Sequence, residues 1–252
     1  MRLFLASAMP VYDVFPALKE SIYTLETFFW LDGIKKEIAD SLMRATDMDN
    51  FLLDSGAYSF MNAQKGKPAD FDSYLKRYIE FINRYDVKYF FELDLDSVIG
   101  FERTMQMTKK LEAETGKKCI PVFHKSRGIA EWHRICKEYD YVAIGTIYEY
   151  RNKESVLVKL LKIADSYGTK VHGLGFTSCK KLEKIGFYSV DSTSWKVPMR
   201  TGAIAQFNGK EVISVNGPKG YRLKDYKASG RLSVKAWLDY QKYAQKFLGK
   251  ER

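Results

Sequence analysis

The residues best suited to chemistry are acids that close short apolar runs. Phe51-Leu52-Leu53 ends at Asp54, followed by the small residues Ser55, Gly56 and Ala57 and then by Tyr58 and Phe60. Glu92, Asp94 and Asp96 alternate in the stretch "ELDLDSV", and Asp191 closes "YSVD". Grouped carboxylates suit the binding of a divalent cation or of a polar substrate. In a strand, residues two apart share a face, so Glu92, Asp94 and Asp96 could form a metal cluster or clamp a polar substrate. Asp96 also reads as a cap on the next turn. His124 could join those acids around a metal, or serve as a hydrogen-bonded structural residue. The chain has three histidines and neither H-x-H nor H-x-x-E-H, so the expectation is no metal and no cofactor.

These residues need elements to position them. Candidate strands are Leu3–Ser7, Phe51–Asp54, Lys88–Leu93, Cys119–His124, Tyr141–Ile144, Lys170–Leu174 and Tyr188–Asp191, with an eighth in Ala203–Phe207. Most are apolar on consecutive residues, the pattern of parallel strands covered on both faces. Helical spacing recurs between them, over Phe71–Arg84, Thr104–Thr115 and Glu154–Tyr167. Alternation of this kind predicts α/β architecture. Eight strands in 252 residues predict a (β/α)₈ TIM barrel in one domain spanning 1–252, with an open doubly wound sheet as the competitor. The Gly- and Lys-rich stretch Asn208–Gly230 reads as an irregular basic C-terminal insert before a last helix, Ser233–Leu248. In such a barrel the active site lies at the carboxyl ends of the strands, where Asp54, Asp94, His124, Gly145, Gly173, Gly175 and Asp191 all fall.

With 46% hydrophobic residues the chain can fill a sizeable core, and its net charge of +10 favours a polyanionic partner, nucleic acid first. Basic residues gather late in the chain, at Lys196, Arg200, Lys219, Arg222 and Lys224, joined by Lys210, Lys227 and Arg231, with only Glu211 and Asp225 opposing them. That density suits a phosphate track. No segment has the length of a membrane span, and the start of the chain does not read as a signal peptide. Three cysteines, Cys119, Cys136 and Cys179, are widely spaced without C-x-x-C, which suits a reducing cytoplasm.

Five stretches, in order over roughly residues 50–205, resemble the tRNA-guanine transglycosylase superfamily. "LLDSGAYSF" resembles its Asp-Ser-Gly-Gly-Phe strand end, and "ELDLDSV" its next acidic strand end. "VAIGTI" is similar to its Gly-Gly-Leu segment, with the single Gly145 in place of a glycine pair. "VHGLGFTSCKKL" resembles its Met-Gly-Val-Gly segment, and "SVDSTSW" its nucleophile segment. The resemblance implies a TIM barrel that exchanges guanine for a 7-deazaguanine without cutting the nucleic-acid backbone. It implies Asp191 as nucleophile, Asp54 as general acid and base, and Asp94 as acceptor for the purine's Watson–Crick edge. The family's Cys-x-Cys-x-x-Cys zinc site is absent, and the chain lacks the length of the additional RNA-binding domains of the archaeal enzymes. Both departures are more like the phage and bacterial members that place 7-deazaguanines in DNA, which favours DNA over tRNA and the cytoplasm of a bacterial or phage-infected cell.

On that reading Ser55 and Gly56 let a flat ring approach the backbone, and Gly145, Gly173 and Gly175 do the same opposite. Gly173 and Gly175 also read as a tight strand-to-helix turn. Tyr58, Phe60, Tyr148 or Phe176 could stack on the base. Trp195 could wall the sugar pocket or plug the barrel end. A base inside a duplex has to be flipped out, so a duplex-opening protein such as an ATPase or helicase is a possible partner. A tRNA transglycosylase, a base-releasing N-glycosidase, a metal-dependent enzyme and a non-enzymatic nucleic-acid-binding module are the alternatives.

Overall fold

The apolar runs become parallel strands buried on both faces. The computed structural model describes residues 1–20, 23–64, 69–145, 150, 153–176, 178–215 and 222–248. In it β1 (Arg2–Ala6), β2 (Thr24–Thr27), β3 (Phe51–Asp54), β4 (Val122–Phe123), β5 (Tyr141–Ile144), β6 (Lys170–Gly173) and β7 (Ser189–Ser192) form one parallel sheet, ordered β3-β2-β1-β7-β6-β5-β4. The sheet is curled, because its two outer strands approach one stretch of chain. Phe90 bridges Leu53 of β3, and Phe91 bridges Ile120, just ahead of β4.

Helices α1 (Phe28–Gly33), α2 (Lys36–Arg44), α3 (Ala57–Ala63), α4 (Phe71–Tyr85), α5 (Asp96–Ile99), α6 (Phe101–Thr115), α7 (Gly128–Glu138), α8 (Glu154–Ser166), α9 (Cys179–Leu182), α10 (Val197–Thr201) and α11 (Tyr226–Phe247) complete the fold with the antiparallel pair β8 (Ile204–Phe207) and β9 (Val212–Val215). Two cores result. Leu3, Leu5, Leu53, Phe90, Val142, Val171 and Val190 point toward helices such as α4, whose Tyr74, Leu75, Tyr78, Ile79 and Ile82 recur at helical spacing. Phe4, Ala6, Leu25, Leu52, Phe91, Ile120, Val122 and Ala143 form a second cluster on the inner face.

Three expectations change. Thr24–Thr27, too polar to read as a strand, is the sheet's second strand, while Ala203–Phe207 pairs with β9 outside the parallel sheet. Lys88–Leu93 forms bridges rather than a strand: the Val122 amide that would extend the ladder donates instead to the Glu92 side chain at 2.9 Å. The expected irregular insert contains β9, the second strand of the β8–β9 hairpin, and α11 begins inside it at Tyr226, where Asp225 caps it by accepting from Lys227 and Ala228 at 3.0 Å.

Candidate active site

Strand β3 delivers Asp54 to the carboxyl end of the sheet. Two tyrosines of α4 fix that end. The Tyr74 hydroxyl donates to the Ser55 carbonyl at 2.6 Å, and the Tyr78 hydroxyl lies 3.3 Å from the Leu53 carbonyl and 3.0 Å from that of Phe91. Gly56 begins α3 with φ of +65° and donates its amide to Asp54 Oδ2 at 3.1 Å. Its glycine is required by the chain itself, since a Cβ there would sit 2.3 Å from Thr27 Oγ1 and 2.5 Å from Phe29 Cβ.

Asp54 lies within electrostatic reach of both Asp191 and Asp94. Burial lifts the Asp54 carboxyl from 3.8 to about 6; the Gly56 amide opposes the rise, and the charges of Asp191 and, more weakly, Asp94 add to it. Asp94 Oδ1 lies 2.7 Å from His124 Nε2. Burial pulls the imidazole's pKa down, but its bond and charge interaction with Asp94 outweigh burial and the net direction is upward. A Cβ on Gly145 would fall 2.7 Å from His124 Cε1, so this glycine makes room for the histidine rather than for a base.

Asp191 is buried on β7 and accepts the Gly175 amide at 2.7 Å. Gly175 has φ of +66° and open space on its Cα, which fits the tight strand-to-helix turn. The same carboxylate oxygen lies 3.2 Å from His172 Nε2.

The remaining acids of the alternating trio serve the scaffold. Glu92 points outward and is fully buried; Oε2 accepts from Thr108 at 2.8 Å, and Oε1 accepts from both terminal nitrogens of Arg127 at 3.1 Å. Arg127 also grips both oxygens of Asp96. Asp94 alone of the three is left for the site. No group of three or more metal-binding side chains occurs among the described residues.

Several candidates prove to be packing residues. Phe176 is buried against Phe187, with ring centroids 5.3 Å apart, and cannot stack on a base. Phe60 stacks on Tyr74 at 4.1 Å. The space beside Gly173 is taken by the Phe187 ring, which a Cβ would meet at 2.9 Å. Trp195 is fully buried, donates to the Ala6 carbonyl at 2.9 Å and is a plug, not a pocket wall. Tyr58, by contrast, is 72% exposed at the start of α3. Lys196 is half-buried and faces the charge of Glu26; burial lowers its pKa and Glu26 partly restores it. Arg200, Arg222 and Lys224 are exposed. Lys219 and Tyr148 lie outside the described residues.

Two buried polar residues beside these acids are not singled out by the sequence reading. Glu26, on the polar strand β2, is 1% exposed; Oε1 accepts the Thr27 amide at 2.9 Å and Oε2 has no hydrogen-bond partner. Burial lifts its pKa from 4.5 to about 7, against the opposing pull of the Thr27 amide and Lys196. His172 is the other; the alternation Val171, His172, Gly173 was the available signal, since it turns the imidazole to the inner face. Among the described residues no helix is long and apolar enough to cross a membrane. No family model matches the chain, and no curated protein matches it.

Proposed function

We propose that this protein is a guanine transglycosylase that exchanges guanine for a 7-deazaguanine in nucleic acid, DNA in preference to tRNA, and that its curled sheet is a (β/α)₈ barrel. The barrel reading is supported by the bridges from β3 through Phe90 and Phe91 to Ile120, which link the two outer strands. The observation that supports the function is that the buried Asp54 carboxyl feels the charges of two acids from distant strand ends, Asp191 and Asp94.

Asp191 attacks C1′ of the target nucleoside. The C1′–N9 bond breaks with its electron pair on the purine, which takes a proton from the Asp54 carboxyl. The incoming base then attacks C1′ through N9, the C1′–carboxylate bond breaks with its pair returning to Asp191, and the N9 proton passes to Asp54. A carboxyl with a pKa of about 6 suits both directions near neutral pH. Asp94 accepts hydrogen bonds from the purine's N1–H and N2–H. Exposed Tyr58 suits stacking on a flipped base, and exposed Arg200, Arg222 and Lys224 suit phosphates. DNA is preferred because the three cysteines provide no Cys-x-Cys-x-x-Cys cluster.

The test incubates labelled guanine with duplex DNA, single-stranded DNA and tRNA. Incorporation into DNA, lost in Asp191→Asn, is expected. Incorporation into tRNA alone moves the substrate, and release of free base without incorporation indicates an N-glycosidase. Near-wild-type exchange by Asp191→Asn overturns the reading.

A further inference from the structure

A column of hydrogen bonds runs beneath Asp191 on the inner face of the sheet. The Tyr141 hydroxyl lies 2.5 Å from Ser189 Oγ, which lies 2.7 Å from His172 Nδ1, and His172 Nε2 lies 3.2 Å from Asp191 Oδ1. The imidazole is fully buried, with the rings of Phe91 and Phe4 at 5.4 and 6.0 Å. A carboxylate facing Nε2 requires a proton on that nitrogen. In a neutral ring Nδ1 is then an acceptor, Ser189 donates to it, and Tyr141 donates to Ser189. The four groups thus satisfy one another in one direction with no hydrogen left over.

We propose that His172 is a positioning residue that donates to Asp191 Oδ1 and so sets which oxygen attacks and how readily the carboxylate departs; this rests on the transglycosylase reading above. Oδ1 already holds the Gly175 amide and His172, and no described residue donates to Oδ2. Oδ2 is therefore the attacking atom, and Oδ1 becomes the carbonyl oxygen of the glycosyl ester. When the incoming base attacks C1′, the C1′–Oδ2 pair returns to Asp191, and the developing charge is stabilised by the two donors on Oδ1. Removing the histidine donor slows release from the ester more than its formation.

The experiment follows the covalent adduct of wild type, His172→Leu and His172→Gln with a guanine-containing DNA oligonucleotide, then its discharge by added free guanine. His172→Leu should discharge roughly ten- to a hundredfold more slowly, the range for one hydrogen bond to a charged group. His172→Gln, whose amide nitrogen replaces Nε2, should recover most of the rate. Equal discharge rates in wild type and His172→Leu overturn the proposal while leaving the transglycosylase reading standing; a wild type that forms no adduct and exchanges no base overturns both. Nitrogen-15 spectra of the folded wild-type protein supply a measurement independent of folding in the variants. A proton on Nε2 is expected, and an imidazole carrying its proton on Nδ1 alone overturns the column.

Discussion

Glu26 offers a direct test of the buried charges at the rim. Its carboxyl is 1% exposed, lacks a partner for Oε2, and has its pKa lifted by burial from 4.5 to about 7. A carboxyl raised in the folded state leaves stability intact below about pH 4.5 and erodes it as pH rises through about 7. At about 1.36 kcal/mol per tenfold, the erosion between pH 5 and pH 8 is about 2.5 kcal/mol. Glu26→Gln keeps the shape and removes the titration. Any penalty for seating the amide is the same at both pH values and cancels in the difference. Asp54 titrates in the same sense in both proteins and largely cancels, its charge being the smallest of the influences on Glu26. Urea unfolding of wild type and variant at pH 5 and pH 8 should show Glu26→Gln gaining about 2–3 kcal/mol relative to wild type over that interval. Parallel pH dependence in the two proteins, or a variant that loses ground as pH rises, would refute the reasoning.

Three further outcomes are expected. Arg127→Met strips the counter-charge from Glu92, both side chains being 4% exposed, and should cost about 3–5 kcal/mol at pH 8 by chemical denaturation; the cost should shrink as pH falls, because burial pushes the Glu92 carboxyl above its usual range and Arg127 opposes that rise. Asp94→Asn removes the interaction that holds the His124 pKa up against burial, so an NMR titration should find that value lower than in wild type. Gly56→Ala sets a Cβ 2.3 Å from Thr27 Oγ1 at a φ of +65° and should destabilise by about 1–3 kcal/mol, read by thermal unfolding.

Strands built on consecutive apolar residues, such as Phe51-Leu52-Leu53 before Asp54 and Tyr141–Ile144, are readable in the sequence, because burial on both faces favours an unbroken apolar run. Thr24–Thr27 escapes the same reading because two of its buried side chains, Thr24 and Glu26, are polar. Asp54, Asp94 and Asp191 announce themselves as acids at the ends of apolar runs. What each glycine does is not readable: Gly56, Gly145 and Gly173 yield to Thr27 and Phe29, to His124 and to Phe187, neighbours distant in the chain. His172 is hidden for a related reason, since its partners Asp191, Ser189 and Tyr141 sit on three other positions of a sheet whose register only the fold supplies.

The Arg127 clamp has a bearing on how this rim can diversify. It grips the residues on both sides of Asp94, Glu92 from the helical layer and Asp96 at the start of α5, so the backbone carrying residue 94 is held from behind at two points. A side-chain exchange at 94 leaves that anchorage untouched. On the proposed role of Asp94, the position can therefore exchange its side chain while its mounting stays rigid.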